Sequence, residues 1–180
     1  MAVLHEKRQR HECRSACSAG FLEELLFRGV LYRIVEEWLG SWISVVGSSV
    51  VFGAVHLMNP DPTLTGAIFI SIEAGLLLAA AYMLTRRLWL GIGFHIAWNY
   101  TQSAVFGGVV SGSIAQPGLF KTVFSGPDLI TGGGFGLEAS LIPCILATST
   151  GAYLALRAVR AGHVVLPFWN QKSVPLPQTV

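Results

Sequence analysis

Charge is scarce in this chain. Only 12% of its 180 residues are Asp, Glu, Lys or Arg, about half the ~25% of an ordinary soluble domain, while 52% are apolar. That balance excludes a disordered chain, which needs low hydrophobicity and high charge. It also argues against a soluble globular enzyme. Neither sign of charge dominates: 12 basic residues stand against 10 acidic ones, so no nucleic-acid partner is expected. Cysteine is short as well. Cys13, Cys17 and Cys144 are too few for a disulfide framework. Cys13 and Cys17, near His5 and His11, read as a solvated tail rather than a metal site. The H-E-x-x-H pattern of zinc peptidases is missing, and so is an apolar core of signal-peptide length in the first 15 residues.

What the chain does have is apolar stretches, with a mean hydropathy of +0.57. Crossing the hydrocarbon takes about 20 helical residues. The pattern predicts helices over 17–39, 42–58, 64–85, 88–106 and 137–158. Gly40-Ser41 ends the first, Asn59-Pro60-Asp61-Pro62 the second, and Arg86-Arg87 separates the third from the fourth. A Gly/Pro/Ser-rich stretch, 107–136, precedes the fifth. The expected fold is all-α: a polytopic transmembrane bundle of about five hydrophobic helices, in contact with a lipid bilayer. Residues 1–15 read as a polar basic tail outside that fold, 16–162 as the membrane-embedded domain, and 163–180 as an irregular tail with His163 solvated.

The first helix is unusual, because it carries Glu23, Glu24, Arg28, Arg33, Glu36 and Glu37 among apolar neighbours. Phe21-Leu22 and Leu25-Leu26-Phe27 flank the two adjacent glutamates, so no broad polar face separates and an interfacial helix is a poor fit. Charges within an apolar helix must face a bundle interior or a wet cavity. Arg28 follows Glu24 by four residues and shares its helix face. Glu23 points about 100° away and remains the more adjustable carboxylate. His95 and Asn99 have the same one-turn spacing, as do Phe52 and His56. Glu23 lies 16 residues from the end of its helix at the Gly40 turn and His56 14 residues beyond that turn, a height difference of only ~3 Å. His95 and Asn99 fall roughly 10–16 Å into their helix, so all four can meet in mid-membrane. Glu73 has no motif partner and reads as a structural or substrate-contacting group.

Glu23-Glu24-x-x-x-Arg28, Phe52-x-x-x-His56 and His95-x-x-x-Asn99, in that order on three hydrophobic helices, resemble the three motifs of the CPBP family. These are the CAAX proteases and bacteriocin-processing enzymes, intramembrane endopeptidases of the Abi type. LEELLFRGVLYR, RRLWLGIGFHIAWNYTQ and SGPDLITGGGFGLEASL are similar to bacterial members, and the resemblance covers about residues 20–160. It implies hydrolysis of a peptide bond in a peptide or prenylated protein. Glu23 would take the proton of a water that a donor on His56 orients, His95 and Asn99 would steady the oxyanion, and Glu24 with Arg28 would act as an orienting pair. It leaves cofactors open between none and one zinc ion held by Glu23, His56 and His95. It also implies an integral, multi-pass protein of the bacterial cell membrane. Family members generally have about three hydrophobic helices before the Glu-Glu motif, and the first 15 residues here resemble none of them; the expectation is a longer native N-terminal region.

Two other functions compete: a catalytically silent scaffold or immunity-type protein with the same fold, and a transporter using Glu23 and Glu73 as ion sites. The intact Glu/His/His/Asn set favours the enzyme, and no pair of broken helices favours the transporter. Five crossings put Lys7, Arg8, Arg10, Arg14 and Lys121 on one side, and Arg86, Arg87, Arg157, Arg160 and Lys172 on the other. Without residues 1–15 that balance becomes one against five, which predicts a cytoplasmic Arg86-Arg87 loop and C-terminus.

Overall fold

The computed structural model describes residues 2–120 and 122–170, with side chains from Arg10 onward except His11. The side chains of His5 and His11, together with Lys121 and the tail beyond residue 170, lie outside it. Among the described residues the chain is all-helical, with no strand. Helix α1 (Ala2–Glu24) passes into a π-helical stretch (Leu25–Tyr32) and then into α2 (Arg33–Val55), which ends in a 3₁₀ turn (His56–Met58). Next come α3 (Leu64–Ile70), a second π-helical stretch (Ser71–Gly75) and α4 (Leu76–Thr85). Helix α5 (Trp89–Tyr100) leads into a third π-helical stretch (Thr101–Val105); the short α6 (Asp128–Thr131) follows, and then α7 (Leu141–Arg160).

The local chemistry accounts for these boundaries. At Gly40, with φ +81°, the helix breaks and the chain turns back, so α2 is two helices meeting at a left-handed glycine. Thr63 caps α3 by accepting the Gly66 N–H at 2.9 Å. Arg86, at φ 55°, closes α4 in the left-handed conformation. Three segments are long and apolar enough to cross a membrane: Glu12–Met58, Leu64–Thr85 and Leu141–Arg160, the first including the break at Gly40. The polar residues from Ala2 onward, set apart in sequence, are helical in continuation with α1, and Glu12 and Ala16 are buried. The fifth predicted helix also begins later than expected. Gly136, at φ 101°, precedes a 3₁₀ turn over Leu137–Ala139, and α7 proper starts at Leu141.

Small residues set the packing. A Cβ on Gly53 would sit 1.8 Å from Ser71 Oγ, and one on Gly75 would sit 2.8 Å from Ser49 Cβ, so α2 rests directly on the α3–α4 arm. Close approach of this kind replaces the hydrophobic drive that lipid does not supply. One buried cluster joins Tyr32, Val45, Ala79, Tyr82, Met83 and Ala158; another joins Phe27, Phe52 and Ile70. Helix α7 packs on α4 and turns Ile142, Ile145, Leu146 and Leu156 outward. Helix α5 lies along α1, where a Cβ on Gly20 would clash with Ile96 at 2.6 Å.

At the Gly40 end, Arg86 clamps Glu36 through two bonds of 2.9 and 2.6 Å, and Ser41 donates to the same carboxylate at 2.6 Å. Those bonds hold the Arg86 guanidinium above its ordinary value. The segment after α7 straps this end. Ser41 N–H donates to Val165 O at 3.0 Å, and Val165 N–H donates to Ser41 Oγ at 2.8 Å. His163, expected to be solvated, instead bonds the Leu84 carbonyl at 2.7 Å.

Candidate active site

Glu24 and Arg28 are both fully buried, and Arg28 Nη1 donates to Glu24 Oε1 at 2.8 Å. The other nitrogen, Nη2, donates to the carbonyls of Ala74 and Gly75 at 3.4 and 3.0 Å, at the end of the second π-helical stretch. The guanidinium lies 4.6 Å over the Phe52 ring. Each of these contacts offsets part of the cost of a charge held away from water. Gly91 makes room for the pair, because a Cβ there would meet Glu24 Oε2 at 2.7 Å.

His95 completes the chain of contacts. Its Nδ1 lies 3.3 Å from Glu24 Oε1 and its Nε2 lies 3.7 Å from Glu23 Oε2. Arg28, Glu24, His95 and Glu23 therefore form one line of alternating charge capacity running from the dry interior toward the cavity. Glu23 is half-buried, and its Oε2 has no hydrogen-bond partner.

His56 sits at the start of the 3₁₀ turn, with Nδ1 2.7 Å from the Phe52 carbonyl. A carbonyl only accepts, so the hydrogen is on Nδ1, and in the neutral ring Nε2 is the acceptor. Phe52 lies behind both histidines, with ring centroids 4.8 Å from His56 and 6.0 Å from His95.

Glu23, His56, His95 and Asn99 all line one cavity of about 360 Å³. Glu24 and Arg28 are not on its wall; they stand behind it. Four of the six candidate residues thus face a common space, and the remaining two hold that space together. Among the described residues no three His, Cys, Asp or Glu side chains gather as a metal-ligand set. Glu23 and His95 approach to 3.7 Å, but His56 does not gather with them, so the trio does not fit a zinc site as it stands.

Sequence reasoning missed the roof of the cavity. The stretch after α5 folds back so that Gly108, Val110, Ser111, Ser113, Ile114 and Gln116 border it. Ser111, at φ 50°, is held there by Glu138 from the turn before α7. Its N–H and Oγ both donate to Glu138 Oε2, the latter at 2.8 Å. Trp98 Nε1 donates to the other oxygen, Oε1, at 2.9 Å. Burial pushes the Glu138 carboxyl up, and the donors on Ser111 and Trp98 oppose that rise without cancelling it. A smaller space of about 30 Å³ lies behind the site, bordered by Glu73, Trp98, Asn99, Ser111 and Glu138. Glu73, which the sequence left without a partner, is buried there, and its Oε2 has no hydrogen bond. The one available sequence signal was an acidic residue, Glu138, inside an otherwise apolar stretch next to a glycine cluster.

No curated protein and no solved structure matches the chain. Residues 13–101 match the family model described as type II CAAX prenyl endopeptidase Rce1-like. All three motifs fall inside the matched stretch, and the apolar helices agree with an integral membrane protein. The stretch that carries the six candidate residues is thus similar to Rce1-like CAAX-type proteases, in agreement with the motifs' resemblance to the CPBP family.

Proposed function

We propose that the protein is a membrane-embedded endopeptidase that hydrolyses a peptide bond with a water activated by Glu23 and His56. One observation carries this reading: Glu23, His56, His95 and Asn99, from three separate helical stretches, face a single cavity. The water would donate one hydrogen to the Glu23 carboxylate and the other to His56 Nε2, leaving an oxygen lone pair for the scissile carbonyl carbon. As the C–O bond forms, Glu23 takes the proton, and His95 with Asn99 donates to the carbonyl oxygen as it becomes negative. Glu23 then returns the proton to the leaving nitrogen as the C–N bond breaks. Glu24 and Arg28 touch no reacting atom in this scheme; they fix the His95 ring. The matched family supports a C-terminal, prenylated peptide as the first substrate to try, with bacteriocin leaders and signalling peptides as further classes.

Cleavage of a prenylated peptide and of a peptide library by the detergent-purified protein tests this reading, with Glu23→Gln as the comparison. Gln keeps the shape and removes the base, so turnover should fall by orders of magnitude while the thermal melt stays put. Equal turnover by both proteins would refute the assignment.

A further inference from the structure

The Glu138 carboxylate lies outside the three motifs and beyond residues 13–101, yet it is buried against the site. Its two oxygens accept from donors on two different walls. Trp98, on α5 between His95 and Asn99, bonds Oε1; Ser111, on the roof, bonds Oε2 through both N–H and Oγ. Ser111 also accepts from Asn59 Nδ2 through its carbonyl, at 2.5 Å, which ties the roof to the end of the His56 turn. A non-glycine residue at φ 50° is strained and persists only where its surroundings over-determine it. Here the over-determining group is Glu138. Each carboxylate oxygen accepts from at least one obligate donor, Trp98 Nε1–H on Oε1 and Ser111 N–H on Oε2, so a donor in place of either oxygen loses a bond.

We propose that Glu138 is a positioning residue of the cleft: by holding Ser111 and Trp98 together it sets the gap between the roof loop Gly108–Gln116 and the His95–Asn99 face of α5, where the substrate peptide lies. The proposal rests on the peptidase reading for what occupies the gap, and on the hydrogen bonds alone for how the gap is held. Glu138 touches no reacting atom, so its loss acts on substrate fit first.

The test is Glu138→Gln in the full chain, with Cys13, Cys17 and Cys144 changed to Ser and Ser113→Cys as a reporter on the cavity-facing side of the roof. An amide must turn its NH₂ toward Trp98 or Ser111 and breaks at least one arm of the clamp. KM should rise about tenfold, the scale of one lost charge-assisted hydrogen bond, with kcat within about twofold. Maleimide labelling of the reporter should quicken by about tenfold. A fall in kcat with KM unchanged, or labelling at the parent rate, would overturn the proposal. Where Glu138→Gln does not fold, Ser111→Ala removes one bond of three and should move both values the same way by about two- to threefold. A chain that cleaves nothing with Glu23 intact sinks the peptidase reading, while the labelling arm still decides whether Glu138 holds the roof.

Discussion

Arg28 is the side chain on which the site's electrostatics turn. It is fully buried and bound to Glu24, to two backbone carbonyls and to the face of Phe52. Replacing it with Met keeps most of the volume but strands the Glu24 carboxylate. Removing one partner of a buried ion pair costs about 3–5 kcal/mol, so Arg28→Met is expected to lower the melting temperature sharply in detergent. Arg28→Met combined with Glu24→Gln should recover much of that loss, and a double-mutant cycle reads the difference. Asn99 differs, because it borders the cavity, and among the described residues its side chain has no hydrogen bond that holds the fold. Asn99→Ala should leave the melt unchanged and lower kcat by roughly 10²–10³-fold with KM nearly constant, the signature of a lost oxyanion donor. A raised KM with normal kcat would make Asn99 a substrate clamp instead.

At the scale of elements, the turn at Gly40 is the most exposed to a single change. Its φ of +81° costs an L-residue about 1–2 kcal/mol. A Cβ there would also lie 2.8 Å from both Pro167 N and Val165 O. Gly40→Ala is expected to lower stability by more than the backbone strain alone and to loosen the strap, which protease nicking around residue 165 would report. This turn was legible in the sequence because Gly-Ser interrupts an apolar run, and the bounds of the 64–85 arm were legible because Pro62 and Arg86-Arg87 bracket it. Pairs four residues apart were legible for the same local reason: Glu24 and Arg28 meet because a helical turn brings them together. The roof was not legible. Ser111 and Glu138 are 27 residues apart across a glycine-rich loop, and no periodicity links them. The continuation of α1 back to Ala2 was hidden too, because a polar segment carries no apolar stripe to announce a helix. The three π-helical stretches gave no signal either, although each adjoins a polar group of the site: Glu24, Glu73 and the Asn99–Gln102 segment. Wide turns of this kind often mark functional sites, and they come from tertiary packing rather than from composition.

Across the whole molecule the polar chemistry separates into two ends. Glu36, Arg86, His163 and the strap gather at the Gly40 end, while the cavity and its roof lie at the other. Basic residues normally accumulate on the cytoplasmic side of a membrane protein. With Arg86, Arg87, Arg157 and Arg160 flanking the strapped end, we expect that end in the cytoplasm and the roof on the opposite face. In intact cells, cysteine placed at Arg87 or Ala161 should resist a membrane-impermeant maleimide, whereas cysteine at Ile114 should react. The reverse pattern would invert the topology. The strap has a further consequence, for the order in which the chain is built. Val165 bonds Ser41 across 124 residues, so the hairpin at Gly40 is latched by a segment made well over a hundred residues later. Until Val165 leaves the ribosome, the two helices that meet at Gly40 sit in the bilayer with their turn unfastened and the Ser41 hydroxyl without the Val165 N–H it accepts from in the finished fold. Any quality-control protease that patrols nascent membrane chains would meet this protein with the Gly40 hairpin open.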